Sequence, residues 1–230
     1  MATFVLVHGA YQGGWIWKSV ATRLRGAGHT VYAPTLDGCA ERSHQVRAGI
    51  TVSTHAQEIA GLLFYEDLED VVLVGTSAAG MVIMKAAESA RDRVARLVFV
   101  DALALLPGEE VDKIVKRPAP NRVGELTTGP TRADAENRMF KDFDPATRAW
   151  VVERLTQHPI AALEAPMPAT TFWDQKWDAT VIRCRRATNP PESHQRRTAD
   201  KLGARYTEMD TGHYPMLSEP AELARLLLEG

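Results

Sequence analysis

Residues 71–80 read Val-Val-Leu-Val-Gly-Thr-Ser-Ala-Ala-Gly, which sets Ser77 among small residues directly after an apolar, β-branched run. In a strand–turn–helix unit a serine at the apex is held in a strained backbone that lifts its hydroxyl above the sheet. Bulky side chains two positions to either side would strike neighbouring backbone. Gly75 and Ala79 meet that need, although alanine stands where the motif usually carries its second glycine. The N–H of Ala78, at the opening of a helix from Met81 onward, would point at negative charge building beside Ser77. The chemistry this allows is nucleophilic attack on a carbonyl. The same residues would equally make a plain small-residue turn, so the assignment depends on partners elsewhere in the chain.

One partner is His213, in Glu208-Met209-Asp210-Thr211-Gly212-His213, directly after the last candidate strand. A loop histidine there shares the carboxyl rim of a parallel sheet with Ser77, where the functional groups of such sheets gather. A neutral imidazole within reach can take the serine proton and return it to the leaving group. The histidines at 8, 29, 44, 55, 158 and 194 lack this placement. A second partner is the glycine-rich bend His8-Gly9-Ala10-Tyr11-Gln12-Gly13-Gly14-Trp15. With Ala78, the Ala10 N–H could hold a tetrahedral oxyanion, and losing one such donor typically costs about 3 kcal/mol. Neither a Gly-Lys-Ser/Thr ending nor a Gly-x-Gly-x-x-Gly fingerprint is present, which argues against nucleotide binding.

These groups must be carried by an α/β fold. Short apolar runs at Phe4–Val7, Thr30–Ala33, Val71–Val74, Leu97–Val100, Thr180–Arg183 and Tyr206–Met209 lack strict alternation, as strands buried on both faces do. Amphipathic stretches alternate with them: Trp17–Arg25 ended by Gly26, Thr54–Leu63, Ala79–Ser89, Glu192–Leu202 and Ala221–Leu228. The pattern predicts a mainly parallel sheet of six strands flanked by helices, in one domain spanning 1–230.

The rhythm breaks from about 105 to 178, punctuated by Pro107, Pro118, Pro120, Pro130, Pro145, Pro159, Pro166 and Pro168. A structureless loop of that length is improbable in a compact domain, and a small helical cap over the sheet is expected. Asp144 before Pro145 reads as one helix start. Tyr11, Trp15, Phe140, Phe143 and Trp150 are candidates to line a binding pocket, although aromatics at helical spacing also serve as packed core.

A net charge of −2 with interspersed signs offers no basic patch for nucleic acid. Cys39 and Cys184 lie in no metal-ligand spacing, and no cofactor fingerprint is found. The run Phe4–Val7 is too short for a signal core, and no stretch approaches the roughly 18 apolar residues of a membrane span. A cytoplasmic monomer or homodimer, with no metal, cofactor, nucleic acid or membrane, is the expectation.

Phe-Val-Leu-Val-His-Gly-Ala (4–10), Val-Gly-Thr-Ser-Ala-Ala-Gly-Met (74–81) and Asp-Thr-Gly-His (210–213) together resemble the small α/β hydrolases. The nearest resemblance is to plant salicylate-ester esterases, hydroxynitrile lyases and bacterial carboxylesterase relatives. Thr35-Leu36-Asp37-Gly38 with Glu41-Arg42-Ser43-His44 is similar to the bacterial branch. The chain departs from these relatives in three ways. Thr76 and Ala78 replace the histidine and aromatic residue that commonly flank the serine. Tyr214 stands where the lyases carry a lysine, and Ala10 follows Gly9 with no lyase-type threonine, which disfavours lyase activity. Finally, Ala187 occupies the place where many relatives carry the acid, within Arg185-Arg186-Ala187-Thr188-Asn189-Pro190. Another branch, the haloalkane dehalogenases among them, takes its acid from the end of the strand after the nucleophile helix, which here is Asp101. That residue would orient His213, or else simply bind nearby backbone N–H groups, leaving a Ser–His dyad.

The residues and the resemblance together imply hydrolysis of an ester or thioester through an acyl-enzyme on Ser77, and the aromatic residues of the expected cap favour a substrate of small to medium size and apolar character. Two other readings stay open. One is acyl transfer to a non-water acceptor or an acyl carrier protein. The other is a ligand-binding protein that has lost turnover.

Overall fold

The computed structural model describes residues 1–116 and 121–229. In chain order the main elements begin with β1 (Thr3–Val7), α1 (Lys18–Gly26), β2 (Thr30–Tyr32), α2 (Val52–Tyr65), β3 (Val71–Thr76), α3 (Ala79–Ser89) and β4 (Val94–Val100). The insertion contributes β5 (Asn121–Val123), β6 (Thr127–Gly129), α4 (Pro145–Val152) and β7 (His158–Pro159). The chain then closes with β8 (Ala179–Cys184), α5 (Glu192–Leu202), β9 (Arg205–Met209) and α6 (Pro220–Leu228).

Six of these strands form one parallel sheet in the order β2-β1-β3-β4-β8-β9. Strand β3 is buried along its whole length, as its unbroken apolar run predicts. Successive side chains feed opposite cores. Phe4, Leu6, Val72, Val74, Val98 and Val100 pack with α1 and α6, whereas Val5, Val7, Leu73, Leu97 and Phe99 pack with α2 and α3. Each such side chain stabilises the fold by about 1.5–3 kcal/mol on burial. Helix α2 begins with Thr51 and Thr54 capping each other's backbone N–H. Helix α1 runs one residue beyond its expected end, through Gly26, and the chain turns at Gly28 with φ +87°.

Register places the chemistry. Val7 pairs with Gly75, Thr76 with Val100, Val100 with Ile182, and Cys184 with Met209. Ser77 and Asp101 therefore each lie one residue beyond the paired ends of adjacent strands, and His8 and the 210–213 loop emerge on the same rim.

The insertion differs from a purely helical cap. Helix α4 starts as expected, with Asp144 Oδ1 accepting from the N–H groups of Ala146 and Thr147, both at 3.0 Å. A three-stranded antiparallel sheet, β5-β6-β7, stands beside it. Its strands are two or three residues long and β5 is fully exposed, too short to imprint a period of two on the sequence. Pro118 and Pro120 fall outside the described residues. Among the described residues no helix is long and apolar enough to cross a membrane.

Candidate active site

Ser77 sits at the tip of the β3–α3 turn with φ +53°, a left-handed conformation that non-glycine residues seldom hold without a reason. The sharpness of the turn explains its small neighbours: a Cβ on Gly75 would come within 2.9 Å of the Ala79 carbonyl oxygen. Gly9 is constrained by the serine itself, since a Cβ there would lie 2.9 Å from the Ser77 Cβ. Ser77 is half-buried, and its hydroxyl makes no hydrogen bond among the described residues.

Asp101 ends β4 with φ +45° and is completely buried. Its Oδ2 accepts the Nδ1–H of His213 at 2.5 Å, and its Oδ1 accepts from the Cys184 N–H at 3.1 Å and the Gln195 Nε2 at 2.8 Å. The strand-end habit of binding backbone N–H groups and the contact with His213 thus occur together. Ala187 offers no side chain to compete for the imidazole. With Nδ1 carrying the proton given to Asp101, Nε2 is left with a lone pair, the form a general base needs.

Ser77, His213, Ala10 and Ala78 all line one cavity of about 520 Å³. Neither the Ala10 nor the Ala78 N–H donates to a protein acceptor among the described residues. The first of these is oriented by His8, which the sequence reading left without a role. His8 Nε2 accepts the Leu36 N–H at 3.0 Å, so Nδ1 carries the proton and donates it to the Gly9 carbonyl at 2.8 Å. The trans peptide joining Gly9 to Ala10 then turns the Ala10 N–H the opposite way. Thr35 Oγ1 accepts the Gly14 N–H at 2.9 Å, and Arg42 ties the Thr35 carbonyl at 2.7 Å, so the Thr35–His44 segment braces this loop.

Burial holds His8 neutral, pulling its pKa down to about 4 against the hydrogen bond to Gly9, with His55 and Glu41 as weaker influences of opposite sign. Burial, aided by the adjacent Arg197 and opposed by Glu109, takes His194 to about 4 as well. Between about pH 6.5 and 4 the unfolded chain binds a proton at each of these sites and the folded chain does not. Stability therefore falls as pH drops through that window, by about 2 kcal/mol per histidine between pH 6.5 and 5. Urea midpoints at neutral pH and at pH 5 measure this, and equal midpoints would contradict it.

Of the five aromatic candidates, Tyr11 and Phe143 line the cavity, while Trp15, Phe140 and Trp150 do not. Phe140 is fully buried against Tyr214, with ring centroids 4.5 Å apart. Trp15 and Trp150 meet edge to face at 5.3 Å, with Arg154 over the Trp150 ring. Phe140 belongs to the buried core, and Trp15 and Trp150 pack against it as partly buried side chains. Aliphatic side chains complete the apolar wall, Leu103, Val111 and Leu163 among them. Polar and charged residues that the sequence reading did not single out also line the cavity, Asp134, Arg138, Lys141, Asp142 and Arg186 among them. Gln12 is another, 2% exposed, with its Oε1 buried without a partner among the described residues.

Residues 4–226 match the family model described as the alpha/beta hydrolase family. The chain belongs to that family. It is 30% identical over 238 residues to the carbendazim hydrolyzing esterase of Nocardioides sp. (strain SG-4G), covering 99% of this chain and 98% of that one. It is 26% identical over 261 residues to salicylic acid-binding protein 2 of Nicotiana tabacum, covering 98% and 95%. Among solved structures, an extracellular alpha/beta-hydrolase from a Paenibacillus species superposes with a TM-score of 0.86 at 23% identity, over 100% of this chain and 98% of that one. This alpha/beta hydrolase is an enzyme, a serine ester hydrolase.

Proposed function

We propose that Ser77 attacks the carbonyl of a small to medium ester while His213 Nε2 takes its proton. Asp101 stabilises the imidazolium that forms. The N–H groups of Ala10 and Ala78 hold the oxyanion, and collapse of the tetrahedral intermediate expels the alcohol as His213 returns the proton. Water, activated by the same imidazole, then releases the acid from Ser77. The observation that carries this reading is the meeting of Ser77, the His213–Asp101 hydrogen bond and two unengaged N–H groups on one cavity.

The substrate is an ester with an apolar body, matched to the Leu103, Val111 and Leu163 wall. The free thiols Cys39 and Cys184 underlie a cytoplasmic placement. Transfer to an alcohol or a carrier thiol is the weaker reading, because the relative that is 30% identical over nearly the whole chain is named a hydrolyzing esterase.

The test pairs phosphonate labelling with a panel of esters matched in size whose acyl bodies are apolar or polar. Labelling at Ser77, and turnover favouring the apolar esters by about tenfold or more, is expected. An unlabelled protein whose cavity admits the probe sinks the hydrolytic assignment of Ser77. Equal turnover of both ester sets removes the preference for an apolar body.

A further inference from the structure

The geometry points to Gln195 as the residue that positions Asp101, a role that rests on the reading of Asp101 as the acid of the site. Gln195 lies in α5, is 1% exposed and does not line the cavity. Its Nε2 donates to Asp101 Oδ1 at 2.8 Å and to the Pro190 carbonyl at 3.1 Å. Two acceptors facing one end of an amide fix which end is nitrogen, since a rotated amide would press oxygen against both. The amide keeps this orientation although its own Oε1 is left buried without a partner. It is held for the carboxylate and the loop carbonyl at its own expense.

The arrangement follows from where the acid sits. An acid on the loop after β8 would reach His213 from that loop. With Ala187 there and Asp101 at the end of β4 instead, the carboxylate must be aimed from behind. Helix α5 supplies the support with a group of polar residues, His194 and Gln195 buried and Arg197 half-buried. His194 Nε2 accepts the Ala104 N–H at 3.0 Å, beyond Asp101 in the same segment. Arg197 holds Glu109, which in turn accepts the Leu106 N–H at 2.9 Å. Gln195 occupies the place in this group that touches the carboxylate, and its second bond secures the loop that walls the cavity beside His213. With Gln195 and the Cys184 N–H on Oδ1, Oδ2 is the atom left for His213. The titratable and charged groups facing this carboxylate are His213, Cys184 and Tyr214, with His194, Arg197 and Glu109 on the α5 side.

Gln195→Leu and Gln195→Glu test the role, with kcat and KM measured from about pH 6 to 9 and folding checked by thermal unfolding. In Gln195→Leu, kcat falls by about 10²-fold with KM near the wild-type value, because the carboxylate swings while the cavity wall stays. In Gln195→Glu the introduced carboxyl donates to Asp101 only while protonated, and burial beside a carboxylate raises its pKa. That variant works best at the acid end of the range and loses activity as pH rises, where the wild type does not. A folded Gln195→Leu enzyme with wild-type kcat overturns the proposal. So does a Gln195→Glu variant that loses activity by one constant factor at every pH, the mark of a merely structural residue. If Gln195→Leu does not fold, the pH profile of Gln195→Glu decides alone. Wild-type protein that escapes phosphonate labelling would bring down the underlying site reading, whereas labelled wild type with indifferent Gln195 variants overturns this inference only.

Discussion

Ser77→Ala is expected to lower kcat by about 10⁶-fold while the protein remains folded. The magnitude follows from what the variant keeps. The unengaged N–H groups of Ala10 and Ala78 and the cavity are untouched, so a residual rate of about 10³–10⁴ over water remains for attack by solvent. What disappears is the covalent route. Stability should change little, because the Ser77 hydroxyl makes no hydrogen bond among the described residues whose loss would leave a buried group unpaired. The backbone at φ +53° is strained for serine and alanine alike, so the turn itself is indifferent to the exchange. Ester turnover with highly purified protein, alongside thermal unfolding, measures both halves. A folded Ser77→Ala protein that retains more than about 1% of wild-type turnover would place the nucleophile elsewhere.

Much of the parallel sheet could be read from its apolar runs because the central strands β1, β3, β4 and β8 are buried on both faces. Runs such as Val71–Val74 and Leu97–Val100 have no polar alternative, and the turn after β3 has a steric requirement that few residues meet. His213 was legible for a related reason: position at a strand's carboxyl end determines which side of the sheet a loop residue reaches. Asp101 was only half legible, since the same residue serves equally well as a strand-end acceptor, and its carboxylate meets both the Cys184 N–H and His213.

Other features left no local trace. Gln195 and His8 have hydrogen-bond partners 94 and 28 residues away, and nothing in their neighbours along the chain marks them. The cavity wall was misjudged in one respect for a physical reason. Large aromatics gain most from burial against each other, which is how Trp15, Trp150 and Phe140 are used, while smaller aliphatic side chains leave the space a ligand needs. The short strands of the insertion were invisible because two or three residues carry too little periodicity.

Asp101→Asn is expected to lower kcat by about 10⁴-fold without unfolding the protein. Asparagine is the gentlest substitution at this position, since it tolerates the left-handed φ of +45° better than other neutral residues. The loss arises from the pattern of donors around the side chain. Oδ1 faces two donors, the Cys184 N–H and Gln195 Nε2, so the amide oxygen of the variant must occupy that position. Its NH₂ group then takes the place of Oδ2 and points at His213 Nδ1. Two N–H groups cannot face each other, so Nδ1 gives up its proton and Nε2 carries it. An imidazole protonated at Nε2 cannot accept the proton of Ser77, and the imidazolium of the transition state has lost its counter-charge. Binding should survive, because Asp101 is completely buried and lies behind His213 without lining the cavity, so KM stays near the wild-type value. Steady-state kinetics on Asp101→Asn, with its melting temperature as the control, separate the two accounts of this residue. A drop of about 10⁴ in kcat assigns the acid of the site to β4. A folded variant within about tenfold of wild type would leave Asp101 as a brace for the Cys184 N–H and reduce the catalytic machinery to Ser77 and His213.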